Sequence, residues 1–150
     1  MRIRNFVKID DRLATSGQPE SEAFQEIAGL GYKCIINLAM PDSDHAISNE
    51  SELVTQLGMS YVHIPVIWES PKIEQFYFFS DALNALREQK VWIHCALNMR
   101  VSSFIFMYKV LYESEDYVIA RARLEKIWKP NSLWQSYIDE GMALPIPAQL

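Results

Sequence analysis

The hydrophobic residues in the first two thirds of the chain follow two different spacings. Nearly continuous apolar runs predict strands at residues 13–16, 34–39, 60–66 and 91–94. Segments of helical character are predicted between these strands, at residues 19–30, 49–57 and 73–86. Because the strands alternate with helices along the chain, we expect a mostly parallel central sheet flanked by helices on its faces.

The last third of the chain is predicted to be helical. Helical spacing extends over residues 101–112, 117–128 and 133–142, and Pro130 and Asn131 separate the last two helices. The sequence contains no internal repeat, no low-complexity segment and no linker long enough to divide it. Residues 1–150 are therefore expected to form a single domain. The predicted fold is a three-layer α/β domain with a helical C-terminal part.

Composition and charge argue against several classes of function. The net charge of −5 disfavours nucleic acid as a partner, because phosphate backbones select basic surfaces. No apolar run approaches the ~18–20 residues of a transmembrane helix, and the first residues lack the apolar part of a signal peptide. We therefore expect a cytoplasmic protein with no membrane partner. Two cysteines are too few for a disulfide framework and fit a reducing compartment.

Neither a metal nor a cofactor is predicted. The three histidines are scattered, and Cys34 and Cys95 stand alone, so no ligand spacing suggests zinc. The sequence also lacks the glycine-rich loops that bind nucleotide phosphates. Any catalysis is therefore expected to come from side chains and backbone groups of the protein.

The segment best suited to chemistry is residues 91–106. A buried strand is predicted to end at His94, a helix is predicted to begin near Arg100, and Cys95 heads the short loop between them. Parallel α/β sheets bind ligands beyond the carboxyl ends of their strands, so this loop lies where a site is expected. A helix N-terminus and a nearby cation both favour the thiolate form of a cysteine. We predict that Cys95 is a nucleophile, the alternative being a small packing residue at a strand end.

The residues around Cys95 are suited to binding an oxyanion. Arg100 can bind two oxygens of a phosphate through its planar guanidinium group, and the N–H groups of the loop can point at the same ion. His94 can order the loop, and a hydroxyl group from Ser102 or Ser103 can donate to the sulfur. The predicted ligand is a phosphorylated substrate or an inorganic anion such as phosphate or sulfate. The residues predicted to bind it are His94, Ala96, Leu97, Asn98, Met99, Val101 and Ser102.

The order of His94, Cys95, a short loop, Arg100 and a serine resembles the phosphate loop of protein tyrosine and dual-specificity phosphatases. In the pattern of that family, five residues separate Cys from Arg, a Ser or Thr follows the Arg, and the loop contains a glycine. Here four residues separate Cys95 from Arg100, Val101 follows the arginine, and the loop has no glycine. The resemblance implies a cysteine-phosphatase-like fold that hydrolyses phosphate monoesters through a phosphocysteine, without metal or cofactor.

A closer resemblance is to the bacterial beta-lactamase-hydrolase-like phosphatases, a domain-of-unknown-function family with the shortened loop. Three further segments carry this resemblance: Thr-Ser-Gly-Gln-Pro at residues 15–19, Ile-Ile-Asn-Leu at residues 35–38 and Tyr-Val-His-Ile-Pro-Val at residues 61–66. They occur in the order of that family and extend the similarity over residues 10–112. This resemblance implies a single protein-tyrosine-phosphatase-like domain.

The shortened loop leaves two alternative functions. A loop with one residue fewer has one N–H group fewer to aim at an oxyanion. Rhodanese-type sulfurtransferases are similar in having a cysteine at the head of a small loop. The first alternative is therefore a sulfurtransferase that carries a persulfide on Cys95. A loop that binds phosphate without turnover would instead be a non-enzymatic binding module.

A cysteine phosphatase also needs a proton donor for its leaving group, since general acid catalysis is typically worth ~10²–10⁴-fold. In the family that this chain resembles, the donor is an Asp on a loop between a strand and a helix upstream of the cysteine. Glu69 occupies that place here and is the predicted general acid. The alternatives are Asp42, Asp44 and His45, which lie on the predicted loop at residues 40–48.

The remaining candidate residues are predicted to be structural. His63 is expected to be a hydrogen-bonded core histidine, and Cys34 is expected to pack in a buried strand. Trp128, Trp134 and Tyr137 are expected to form a core between the C-terminal helices. If these aromatic residues were exposed, they would instead suggest a homodimer contact.

Overall fold

The computed structural model describes residues 2–145, which fold around one five-stranded sheet. The strands are β1 (Val7–Lys8), β2 (Leu13–Ser16), β3 (Tyr32–Asn37), β4 (Ser60–His63) and β5 (Lys90–His94). Their order across the sheet is β1-β2-β5-β3-β4. β1 is antiparallel to β2, and all the other neighbouring strands are parallel. The strand that precedes Cys95 is therefore the central strand of the sheet.

In the part of the chain that the structure describes, six helices connect and cover the strands. They are α1 (Ala23–Gly29), α2 (Glu50–Gln56), α3 (Ile73–Ala85), α4 (Met99–Glu113), α5 (Tyr117–Glu125) and α6 (Ser132–Ala143). Within the described residues, none of these helices is long and apolar enough to cross a membrane.

The two faces of the sheet are buried under different helices. Alternate residues of a strand point to opposite faces, so Val91 and Ile93 of β5 pack into one core and Trp92 packs into the other. The larger core contains buried residues of α3, α4, α5 and α6, and the smaller core contains buried residues of α1 and α2. The predicted three-layer α/β fold with a helical C-terminal part is confirmed.

All the predicted strands and helices are present, but several have different bounds and one short strand is added. The short edge strand β1 was not predicted, because two residues are too few to show an alternating pattern. Helix α1 begins at Ala23, several residues after Pro19. β4 ends at His63 rather than at residue 66, since Pro65 has no N–H group to donate. The N–H groups of Ile64 and Val66 nevertheless donate to carbonyl groups of the β3 segment, at 2.9 Å each.

Candidate active site

Cys95 lies at the carboxyl end of the central strand. β5 pairs with β2 on one side and β3 on the other, and Cys95 is the first residue after β5. Helix α4 begins four residues later, at Met99, so residues 95–98 form the whole connection. The side chain of Cys95 is buried, with 1% of the residue exposed. Position and neighbours agree with the predicted strand, loop and helix.

The carbonyl groups of this loop are bound by the N-terminal part of the chain. The N–H group of Gln18 donates to the carbonyl oxygen of Ala96 at 3.0 Å. The side-chain amide of Asn5 donates to the carbonyl oxygen of Leu97 at 2.9 Å. These two bonds fix the direction of successive peptide groups, so the loop is held by the protein rather than left to adjust around a ligand.

Asn98 allows the chain to turn from the loop into α4. Its backbone is left-handed, with φ of 66°, a conformation that suits glycine best and asparagine better than most other residues. Its side chain is fully buried and donates to the backbone oxygen of Asn5 at 2.8 Å and to the hydroxyl of Thr15 at 3.0 Å. The asparagine thus supplies the backbone geometry in a loop that has no glycine.

The first turn of α4 offers donors at the end of the loop. No acceptor within residues 2–145 takes a hydrogen bond from the N–H groups of Met99, Arg100 or Val101. Such groups at a helix start carry the positive end of the helix dipole. Because α4 has 15 residues and is buried for most of its length, its N-terminus is well suited to stabilising a negative charge on or near Cys95.

Arg100 points toward the loop that follows β4. Only 6% of the residue is exposed, and its Nη1 donates to the carbonyl oxygen of Val66 at 2.9 Å. No acceptor within the described part of the chain takes a hydrogen bond from its Nε or Nη2. One side of the guanidinium group is therefore anchored, and the other keeps donors for an anion.

Behind the loop, His94 belongs to a buried polar network. Its Nε2 lies 2.7 Å from Oε2 of Glu50, and its Nδ1 lies 3.2 Å from the carbonyl oxygen of Cys95. The other carboxylate oxygen of Glu50 accepts from the side chain of Gln18 at 2.6 Å. Burial alone would raise the pKa of Glu50, but the hydrogen bond and charge of His94 and the amide of Gln18 lower it overall.

Glu69 lies on an exposed turn beside this site. The N–H group of Ser70 donates to the carbonyl of Ile67 at 3.1 Å, which closes the turn around Glu69. The preceding residue, Trp68, accepts a hydrogen bond from the indole N–H of Trp134 at 2.9 Å. Val66, which binds Arg100, begins the same segment. The segment that carries Glu69 is thus fixed both to Arg100 and to α6.

The sequence and the fold of this chain are similar to those of several known proteins. No family model matches the chain. Two proteins named "Beta-lactamase hydrolase-like protein", from Xylella fastidiosa strains Temecula1 and 9a5c, are 35% and 36% identical over 99 and 104 residues. The matches cover 63% and 67% of this chain but only 22% and 23% of those proteins, so the chain spans about a quarter of their length or less.

A crystal structure from Shewanella putrefaciens CN-32, described as "Putative phosphatase (DUF442)", is 30% identical with a TM-score of 0.84. It matches over 94% of this chain and 90% of that one. The chain belongs to the DUF442 family. A structure of P. aeruginosa TpbA in complex with pTyr is 16% identical with a TM-score of 0.70, over 92% of this chain and 88% of that one. This DUF442 chain therefore has the fold of protein tyrosine phosphatases.

Several predicted site residues make other side-chain hydrogen bonds than their predicted roles require. The hydroxyl groups of Ser102 and Ser103 both donate to the carbonyl oxygen of Met99 at 3.0 Å, and neither donates to the sulfur of Cys95. The side-chain nitrogen of Asn98 donates to Asn5 and Thr15, and its buried Oδ1, which has no hydrogen-bond partner within residues 2–145, can only accept. Only the backbone N–H group of Asn98 can therefore donate to an anion. For Asn98 and Ser102, the prediction that remains is that their backbone N–H groups bind the substrate.

The other candidate residues lie as follows. His45 lines an open cleft of about 890 Å³ with Gln18 and Arg4, on the α1 and α2 side of the same sheet edge. His63 is exposed rather than in the core, although its ring is hydrogen-bonded as predicted, with Nε2 2.7 Å from the carbonyl oxygen of Ala39. Cys34 is buried as predicted, and burial raises the pKa of its thiol to about 11. Trp134 and Tyr137 are also buried as predicted.

Sequence reasoning did not identify Glu50 as part of the site. The signal was present but weak: Glu50 stands one helical turn before Val54, which is buried, so the carboxylate lies on the inward face of α2. A charged residue on the buried face of a helix needs a partner. No local pattern indicates that His94, 44 residues away, is that partner.

Proposed function

We propose that this protein hydrolyses phosphate monoesters through a phosphocysteine intermediate on Cys95. The observation that carries the proposal is the position of Cys95 between the end of the central strand and the N-terminus of the buried helix α4, with Arg100 in the first turn of that helix. This arrangement brings together a nucleophilic sulfur, backbone N–H donors and a guanidinium group that can bind an oxyanion. Membership of the DUF442 family supports the same reaction class.

In the proposed reaction, the thiolate of Cys95 attacks phosphorus, and the bond from phosphorus to the ester oxygen breaks. The free side of Arg100 and the N–H groups at the start of α4 bind the oxygens of the phosphoryl group as negative charge develops on them. The carboxylic acid of Glu69 gives its proton to the leaving oxygen. Water then attacks the phosphocysteine, loses a proton to the carboxylate of Glu69, and releases inorganic phosphate and the thiolate.

The shortened loop is compatible with this proposal for a physical reason. A loop with one residue fewer loses one N–H group, but the first turn of α4 supplies three N–H groups that have no acceptor within residues 2–145. The carbonyl groups of Ala96 and Leu97 are bound by Gln18 and Asn5, so they are kept from turning toward an anion. This supports an anion site despite the missing residue.

The test is turnover of p-nitrophenyl phosphate in the presence of a metal chelator. We expect hydrolysis by the wild type, near-complete loss in Cys95→Ser, and wild-type rates in the matched control Cys34→Ser. Acid-quenched samples should carry phosphate on Cys95 by mass spectrometry. Equal rates in the wild type and Cys95→Ser would contradict the role of Cys95 as the nucleophile. Release of thiocyanate from thiosulfate and cyanide, without ester hydrolysis, would instead identify a sulfurtransferase.

A further inference from the structure

The two ring nitrogens of His94 both face hydrogen-bond acceptors, a backbone carbonyl and the carboxyl group of Glu50, whose lowered pKa keeps it ionised. Nε2 lies 2.7 Å from the carboxylate of Glu50, and Nδ1 lies 3.2 Å from the carbonyl oxygen of Cys95. A neutral imidazole carries one N–H group and can satisfy only one of these acceptors, whereas an imidazolium satisfies both. The pattern of partners therefore favours a doubly protonated ring at a residue that is fully buried.

Glu50 is the group that can balance this buried charge. Only 4% of the residue is exposed, and the amide of Gln18 hydrogen-bonds its second carboxylate oxygen. A buried charge is tolerated only when it is paired and hydrogen-bonded, and here the pair fulfils both conditions. The other titratable group near the carboxylate is Tyr61 of β4, whose pKa is raised by burial and by the charge of Glu50, so it stays neutral.

We infer that Glu50 is a positioning residue that keeps His94 doubly protonated, and that His94 in turn holds the carbonyl of Cys95 and the conformation of the phosphate loop. The inference rests on the function proposed above. Glu50 does not touch the reacting atoms. Without the charge of Glu50 a neutral ring is favoured, and in the tautomer that carries its proton on Nε2 the unprotonated Nδ1 repels the carbonyl oxygen of Cys95. The peptide group after Cys95 would lose its fixed direction.

The first test observes His94 directly and needs no catalytic activity. The ¹⁵N spectrum of the ring should show both nitrogens protonated in the wild type at neutral pH, and one protonated nitrogen in Glu50→Gln. Assignment is practical because the chain has only three histidines, and His94→Asn removes the relevant signals. A single neutral tautomer in the wild-type protein would overturn the inference, whether or not any variant folds.

The second test measures turnover of p-nitrophenyl phosphate. A misplaced reacting group can cost about 10²-fold, so we expect Glu50→Gln to lower kcat by up to that factor and to change KM less. Glu50→Asp keeps the charge and should recover part of kcat. Glu52→Gln, on the exposed face of α2, is the matched control and should behave as the wild type.

These outcomes separate the two proposals. Wild-type kcat in a folded Glu50→Gln would overturn the positioning role. A wild-type protein with no turnover would overturn the phosphatase proposal, and the ring spectra would then decide the role of Glu50 alone. A loss of kcat in Glu50→Gln without any change in the His94 signals would show that Glu50 acts by packing and would also overturn the inference.

Discussion

Gly17 lies so close to the loop at residues 95–98 that a Cβ atom at its position would stand 2.5 Å from the carbonyl oxygen of Ala96. The same atom would be 3.2 Å from the Cα of Leu97. This close approach lets the N–H group of Gln18 reach the carbonyl of Ala96. The glycine of the Thr-Ser-Gly-Gln-Pro segment therefore has a steric role, which is to let the end of β2 support the loop.

We expect Gly17→Ala to damage the loop. Backbone atoms cannot move away as a flexible side chain could, so the loop must shift, at a cost of about 1–3 kcal/mol of stability. Turnover of an aryl phosphate should fall at least tenfold if the loop is the proposed site. Urea denaturation and steady-state kinetics would measure the two effects.

Gly29→Ala is the control for this substitution. Gly29 is the exposed last residue of α1, and a Cβ atom there would meet nothing within 4 Å. The change should leave turnover unaltered and raise stability by about 0.4–1 kcal/mol, because alanine restricts the unfolded chain. Equal effects of the two substitutions would contradict the steric role of Gly17.

Asn98 gives a second prediction, because its backbone and its side chain can be tested separately. Asn98→Gly keeps the left-handed backbone at little cost but loses the bonds to Asn5 and Thr15. Asn98→Ala loses the same bonds and adds the strain of a left-handed alanine. We therefore expect alanine to be less stable than glycine by about 1–2 kcal/mol in urea denaturation. A glycine variant less stable than alanine would contradict this account.

The sequence predicted the sheet, most helices and the place of the site because these depend on local patterns. The apolar run at residues 91–94 marks a strand buried on both faces, and the structure makes it the central one. The position of Cys95 then follows from a general property of parallel sheets, that ligand sites lie beyond the carboxyl ends of their strands. No contact between distant residues was needed for either conclusion.

What the sequence could not predict are the contacts between distant segments. The loop has no glycine, yet Asn98 takes the left-handed conformation, and Asn5 and Thr15, 93 and 83 residues away, bind its amide. The serine hydroxyl groups were predicted to reach the sulfur, but they bond the carbonyl of Met99 within their own helix. Short-range hydrogen bonds of this kind compete with a role in binding.

Two tryptophans near the Glu69 segment make a matched pair for the third prediction. The indole N–H of Trp134 donates to the carbonyl of Trp68, whereas the buried indole N–H of Trp128 has no partner within residues 2–145. Trp134→Phe should cost about 1–3 kcal/mol, because it leaves a carbonyl unpaired. Trp128→Phe removes an unpaired donor and should cost less. Thermal or urea denaturation would compare them, and the reverse order would contradict this assignment.

The ion pairs of Lys109 predict a dependence of stability on pH. Its Nζ lies 2.9 Å from Asp10 and 2.6 Å from Glu113. Burial opposes both charges, but the hydrogen bond from Lys109 and two backbone N–H groups lower the pKa of Asp10, and the two carboxylates raise the pKa of Lys109.

The signs of these shifts fix the pH window. The contribution of Asp10 is present above its unfolded pKa of about 3.9 and is lost as the pH falls through its lowered folded value. The contribution of Lys109 is present below its unfolded pKa of about 10.4 and is lost as the pH rises through its raised folded value. The stability difference between the wild type and Lys109→Met should therefore be greatest at intermediate pH. A difference that stays constant from acid to alkaline pH in urea denaturation would contradict this.

The last prediction concerns the general acid. Glu69→Gln removes the proton donor but keeps the size of the side chain, so it should slow a substrate whose leaving group needs a proton. We expect kcat/KM for phenyl phosphate to fall by about 10²-fold or more, and kcat/KM for p-nitrophenyl phosphate to fall much less, because nitrophenolate leaves without protonation and kcat/KM does not include the later hydrolysis of the phosphocysteine. The matched variants are Asp42→Asn and Asp44→Asn on the loop after β3, which should retain both activities. If one of these two shows the selective loss instead, the general acid lies on that loop and Glu69 has no such role.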